Sequence, residues 1–212
     1  EICDPKRSQN PDGTIDICCR CVPKPHLVSS IPAFTAPGGV QPPVVPAKGS
    51  LWRDLRHVIR LTFDGALPAT PPTAAQLDIR ELLTGGAFGA TNLSASFTYE
   101  IAGNTLRIRE PSTTTTVLEH RKWYAIRNLG GAGGWTGVAN FEAQFPVQAG
   151  DAQGNNNVNS NDVLTINSSF CLVNCGDQNR NDIDGGNTVN SNDVLRANSH
   201  ITSFPVSRPS GH

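Results

Sequence analysis

The sequence predicts a mainly β protein: a β-sandwich over residues 51–148, an extended arm before it and a small helical module after it. Three observations predict this. Between 51 and 148, apolar and polar residues alternate in six short runs separated by Gly, Pro, Asn and Asp, which is the period and punctuation of strands joined by turns. Residues 22–50 carry Pro23, Pro25, Pro32, Pro37, Pro42, Pro43 and Pro46 with Gly38-Gly39, a composition that fixes φ, removes donors and leaves no run able to build a core. The string Val-Asn-Ser-Asn-Asp-Val-Leu stands at 158–164 and again at 189–195, and Asn-Ser follows each copy at the same offset, so 149–204 is a duplicated unit with a short tail, 205–212, behind it.

In chain order, residues 1–21 are expected to form a small knot. Cys3, Cys18, Cys19 and Cys21 gather there around an Asn10-Pro11-Asp12-Gly13 turn, while Cys171 and Cys175 stand between the two copies of the repeat. An even cysteine count in two local groups reads as disulfides of an exported protein, as does a chain that begins at Glu1 without Met. Cys171–Cys175 is one expected pair. Adjacent Cys18 and Cys19 pair poorly and Cys19 with Cys21 is strained, so Cys3–Cys19 and Cys18–Cys21 are expected for the rest. A zinc tetrahedron of the four N-terminal thiolates is the alternative. The arm at 22–50 has no core of its own, so its own domain or a neighbouring subunit must hold it.

The sandwich follows. Leu55, His57, Ile59, Leu61 and Phe63 alternate with Arg56, Val58, Arg60 and Thr62, and the same pattern marks 77–80, 97–101, 106–109, 124–127 and 141–145. Turn signals at Asp64-Gly65, Pro71-Pro72, Gly85-Gly86, Gly103-Asn104 and 130–137 separate the runs. The order of Leu-Thr-Phe-Asp-Gly-Ala-Leu-Pro at 61–68, Gly-Asn-Thr-Leu-Arg-Ile at 103–108, Trp-Tyr-Ala-Ile at 123–126 and a closing strand ending at Phe145 is similar to bacterial Ig-like domains of surface proteins. That resemblance implies at least seven strands. The arm is expected to supply the seventh from 27–31 or from Val44-Val45, either folded back or donated to another subunit.

The duplicated unit carries metal chemistry. Counting back eleven residues from Asp162 reaches Asp151, and from Asp193 reaches Asp182, so each loop runs from a carboxylate at position 1 to a carboxylate at position 12. Between them oxygen-bearing side chains recur: Gln153, Asn155, Asn157 and Asn159 in the first loop, Asp184, Thr188 and Asn190 in the second. A hard cation that needs six to eight converging oxygens is served by such a list. Val158 and Val189, at position 8, are expected to pair across the loops, and Ser160 and Ser191 to cap helices with apolar stripes Val163, Leu164, Ile166 and Val194, Leu195, Ile201.

Two tandem loop–helix units that share Asp at position 1, Val-Asn-Ser at positions 8–10 and Asp at position 12 resemble a dockerin, the half-EF-hand module of extracellular bacterial assemblies. The resemblance implies two calcium ions and, at loop positions 10 and 11, partner contacts through Ser160-Asn161 and Ser191-Asn192. Departures are Gln153 and Asn155 where the family usually has Asn and Asp, Asn156 where it usually has Gly, and Gly186 at position 5 of the second loop. A register using Asp177, Asn179, Asn181 and Asp184 is the alternative for that loop. With two carboxylates in one loop and three in the other, affinity is expected near ~10⁻⁴–10⁻³ M.

Other function classes find little support. The chain has a formal net charge of −1, with eight Lys or Arg against five acids in 1–60 and six Asp against two Arg in 150–200. This is an opposition of ends rather than the clustered basic face of a nucleic-acid binder. No apolar run spans a membrane. No nucleophile elbow, zinc-protease helix, phosphate loop or dinucleotide fingerprint occurs, His57 is expected to be packed, Glu100, Glu110, Glu119 and Glu142 are not aligned as a glycosidase pair, and Trp52, Trp123 and Trp135 are expected to pack rather than form a sugar platform. The expected function is therefore non-enzymatic: a secreted or cell-surface calcium-binding structural protein that self-assembles into a fibre or layer as a homo-oligomer. A cohesin-binding adaptor is the alternative, with a carbohydrate-binding module behind it.

Overall fold

All six predicted runs become strands, and a seventh comes from the arm. The computed structural model describes residues 2–9, 15–22, 27–30, 50–111, 115–172, 175, 179–201 and 205–212, the first three segments by their backbone alone. In chain order the elements are β1 (Ile2–Gln9), β2 (Ile15–Val22), β3 (Leu27–Ser30), β4 (Val58–Phe63), β5 (Asp78–Glu81), β6 (Thr98–Ala102), β7 (Thr105–Arg109), β8 (Lys122–Asn128), β9 (Phe141–Val147), α1 (Ser160–Asn167) and α2 (Ser191–Ser199).

β1 and β2 form an antiparallel hairpin in a sheet of their own, with Cys3 opposite Cys21, Cys18 opposite Lys6 and Cys19 opposite Pro5. The side chains of Cys3, Cys18, Cys19 and Cys21, and with them the expected pairings, lie outside the described residues, as does Val44-Val45. The remaining strands make two antiparallel sheets, ordered β3-β4-β7-β6 and β5-β8-β9. The seventh strand, β3, is folded back on the edge of β4 of its own chain. The expected strand from residue 55 begins instead at Val58, because the chain turns at Arg56, whose φ of 52° is left-handed.

One apolar core lies between the two sheets. Ile59, Leu61 and Phe63 of β4 and Leu106 and Ile108 of β7 meet Ile79 of β5, Tyr124 and Ile126 of β8, and Phe141, Ala143 and Phe145 of β9. Each large side chain buried this way stabilises the fold by about 1.5–3 kcal/mol. Phe63 stands edge-on to both Trp135 and Phe141. The Gly-rich loop after β8 is shaped by a single buried side chain: the Asn128 amide donates to the carbonyls of Trp135, Val138 and Ala139 and accepts from the Trp135 and Gly130 N–H groups.

Alternation sends Trp123 and Ala125 of β8 to the opposite face, where they pack with Leu82, Phe88 and Val206 of the C-terminal tail. The tail is tied down along its length. The Trp123 indole donates to the Val206 carbonyl, Arg208 to Gln144, and the Gly85 N–H to the Ser210 carbonyl, while the His212 ring nitrogen meets the Leu83 and Ala87 carbonyls.

A second, smaller core holds the repeats together: Ala152, Ile166, Ile183, Val189 and Ala197 close around Trp52. Trp52 lies in the segment that enters β4, so this segment is shared between the sheets and the repeats. Its Leu51 bridges to Val147 and its Asp54 N–H donates to the Ile183 carbonyl.

Candidate metal centre

The two repeats fold alike. In each, an Asn is the N-cap: Asn159 accepts from the Asn161 N–H and Asn190 from the Asn192 N–H, while Asp162 and Asp193 accept in return from the N–H of their cap, completing capping boxes. This corrects the expectation for Ser160 and Ser191, which occupy the first helical position. Asp lies three residues after Asn159 and Asn190, and that reciprocal bond decides the cap.

The position-1 carboxylates are fully buried and gripped from outside. Asp151 Oδ2 accepts from Ser50 Oγ at 2.5 Å and from the Asn156 N–H at 2.9 Å. Asp182 Oδ2 accepts from Arg53 Nη2 at 2.7 Å and from the Asn187 N–H at 3.2 Å. Ser50 and Arg53 both belong to the shared segment. The position-12 carboxylates, also fully buried, accept backbone N–H groups of their own loops: Gln153 and Asn159 donate to Asp162, and Ile183, Asp184 and Asn190 donate to Asp193.

The loops differ in charge. In the second, Asp182, Asp184 and Asp193 each place a ligand oxygen within 4.8 Å of the others, a group that could hold a metal ion. Asp182 Oδ1 is buried and has no hydrogen-bond partner. Burial pushes the Asp182 carboxyl up to about 6 against the opposing pull of Arg53, so a further positive charge at this place would be favoured. Asp184 also accepts from the Gly186 N–H, and Thr188 Oγ1 from the Asn190 amide.

In the first loop only Asp151 and Asp162 are acidic, and the Arg180 guanidinium lies 3.3 Å from Asp151 Oδ2, stacked over Trp52 at 4.5 Å. Asp151 is also pushed up by burial, which Ser50 and Arg180 oppose. Gln153 and Asn155 are exposed and bond to each other at 3.4 Å, whereas Asn157 Oδ1 is buried without a hydrogen-bond partner.

Val189 pairs in both directions with Cys171 rather than with Val158. Cys171 and Cys175 form the expected disulfide, with Cα atoms 5.9 Å apart, and the Cys175 N–H donates to the Asn187 carbonyl. The disulfide therefore braces the second loop at positions 6 and 8, displacing the expected cross-loop pair.

Of the other candidate residues, His57 is packed, but its Nδ1 lies 2.5 Å from Glu110 Oε2 with both side chains fully buried. Glu100 pairs with Arg107 and Arg109, Glu119 with Lys122, and Glu142 accepts from Gln144, so the four Glu are dispersed. Trp52, Trp123 and Trp135 are all buried. Ser160, Asn161, Ser191 and Asn192 are exposed on the helix starts. Among the described residues no helix is long and apolar enough to cross a membrane.

Sequence missed Ser50, Arg53 and Arg180. The first two lie 101 and 129 residues from the carboxylates they hold. For Arg180 the available signal was asymmetry, since Ala149 stands at the corresponding place 31 residues earlier. The chain matches no family model, no curated protein and no solved structure.

Proposed function

We propose that this is a secreted, calcium-stabilised structural protein that assembles with copies of itself into an extracellular fibre or layer. In this reading an Ig-like sandwich forms the body, the N-terminal arm reaches a neighbour and two dockerin-like calcium loops stiffen the far end. The carrying observation is the Asp182 carboxylate, wholly buried beside Asp184 and Asp193 with Oδ1 unbonded. A buried anion with an unused oxygen carries a desolvation cost that a divalent cation offsets. Calcium calorimetry on the full chain, followed by negative-stain microscopy with and without chelator, tests the reading. Uptake near two ions and particles that lengthen with calcium are expected; monomers under both conditions, or no uptake at millimolar calcium, overturn it.

A second reading is supported by the duplicated surface. Ser160-Asn161 with Leu164, and Ser191-Asn192 with Leu195, are exposed at matching places, the two leucines at 62% and 65%. A cohesin-like receptor could read either copy. Calcium-dependent binding of a purified cohesin-like domain, lost when both Leu164 and Leu195 become Asp, would favour the adaptor over the self-assembler.

A further inference from the structure

We propose that β3 is an exchangeable strand, so that in the assembled protein the β4 edge of one copy is completed by residues 27–30 of the next. This rests on the self-assembly reading and names its contact.

Four observations carry it. β3 lies at the end of the order β3-β4-β7-β6, so its removal exposes one edge of β4 and disturbs no other pairing among the described strands. It is short, and its register on β4 shifts between Leu27 and Ser29. Its ladder on β4 is main-chain hydrogen bonding, which is identical whether the strand comes from the same chain or another.

The connection is unlike that of an ordinary antiparallel pair. Neighbouring antiparallel strands are usually joined by about 2–5 residues, whereas here everything from 31 to 57 intervenes, including Pro32, Pro37, Pro42, Pro43, Pro46 and Gly38-Gly39. A segment the length of 31–49 can reach up to roughly 60 Å at about 3.1 Å per residue, further than the body of one small domain. A tether of this length lets the strand reach a neighbour's edge as well as its own, and since both closures make the same strand pairing, exchange is favoured once the local protein concentration approaches the effective concentration the tether imposes.

Upstream, β1 and β2 pair only with each other among the described strands. Among the described strands, the N-terminal piece therefore pairs with the larger sheets through β3 alone, and an exchange of β3 can carry the β1-β2 pair with it. Repeated head to tail, such an exchange is a heterologous contact, which builds an open linear polymer when its rotation does not close a ring.

Ser29 and Thr62 are paired across β3 and β4, and this gives the test. One full-length chain carries Ser29→Cys and a second carries Thr62→Cys. The two are mixed in calcium, mildly oxidised and run without reductant, beside each variant alone and beside the double variant. Exchange predicts a covalent dimer from the mixture, absent from either single variant, and ladders from the double variant. The proposal is overturned if particles form by light scattering while the mixture gives no dimer and the double variant gives only internally linked monomer. Failure of the wild-type chain to form particles at all would instead sink the self-assembly reading. Deleting residues 1–30 gives an independent measure: exchange predicts loss of particles with retention of calcium uptake, and particles of undiminished length would overturn it.

Discussion

Asn156 and Asn187, 31 residues apart, hold the same left-handed backbone, with φ of 59° and 62°, and each N–H donates to the buried Asp that opens its loop. Asn tolerates this region where most residues do not, which is how the loops make the sharp turn at position 6 without Gly. Replacing Asn187 with Ala should destabilise the repeats by roughly 1–2 kcal/mol, while Asn187→Gly should be near neutral. Urea denaturation of the two variants separates them; equal losses would show that the Asn side chain, not its backbone, matters.

Arg53 and Asp182 form a buried ion pair at 2.7 Å, with side-chain exposures of 6% and 0%. Arg53→Met removes the charge and leaves an uncompensated carboxylate, a change that costs about 3–5 kcal/mol. If an ion sits beside Asp182, saturating calcium should recover at least half of that loss by mass action. Denaturation with chelator and with calcium measures both, and a deficit that calcium leaves untouched would place the ion elsewhere.

The Cys171–Cys175 bridge closes a short loop against the second repeat loop. Converting both to Ser should lower stability by about 2 kcal/mol, the loop-closure value for a ring of this size. Since Cys175 and Cys171 bond to Asn187 and Val189, calcium affinity should fall at one site and not at the other. Calorimetry resolves the two; equal weakening would argue against a local brace.

His120 joins the sheets to the repeats. Its Nδ1 accepts from the Ala149 N–H and its ring lies 4.5 Å from that of His200, whose Nε2 is 3.2 Å from Asp54 Oδ1. Burial, with the charges of His200 and Arg121, depresses His120 to about 4. The unfolded chain therefore binds the extra proton first, and the stability His120 contributes is complete above about pH 6.5 and lost as pH falls toward 4. Wild type should lose more melting temperature than His120→Asn between pH 7 and 5. Asp182, whose raised carboxyl acts with the opposite sign, is common to both and cancels.

Much of this architecture can be read from alternation and repetition, because both are local. The strands around Ile59, Ile79, Ile108, Ile126 and Ala143 follow from period two, and the 31-residue offset places Asp151 with Asp182 and Asp162 with Asp193 in equivalent buried places. Ser and Asn are both good caps, so choosing Asn159 over Ser160 requires noticing that Asp162 is three residues from the former. The grip of Ser50 and Arg53 on the loops, and of Glu110 on His57, depends on packing between distant segments, and no local pattern encodes it. Val189 pairs with Cys171, 18 residues earlier and next to the disulfide, a pairing that the repeat pattern does not mark.

The tail's attachment to β8 and β9 has a mechanical consequence. Tension applied at the C-terminal tail meets Val206, Arg208 and Ser210 on the sheets before it reaches either loop. Load along the chain would thus be carried by the β-framework, and the two repeats would be shielded from shear until that strap peels away.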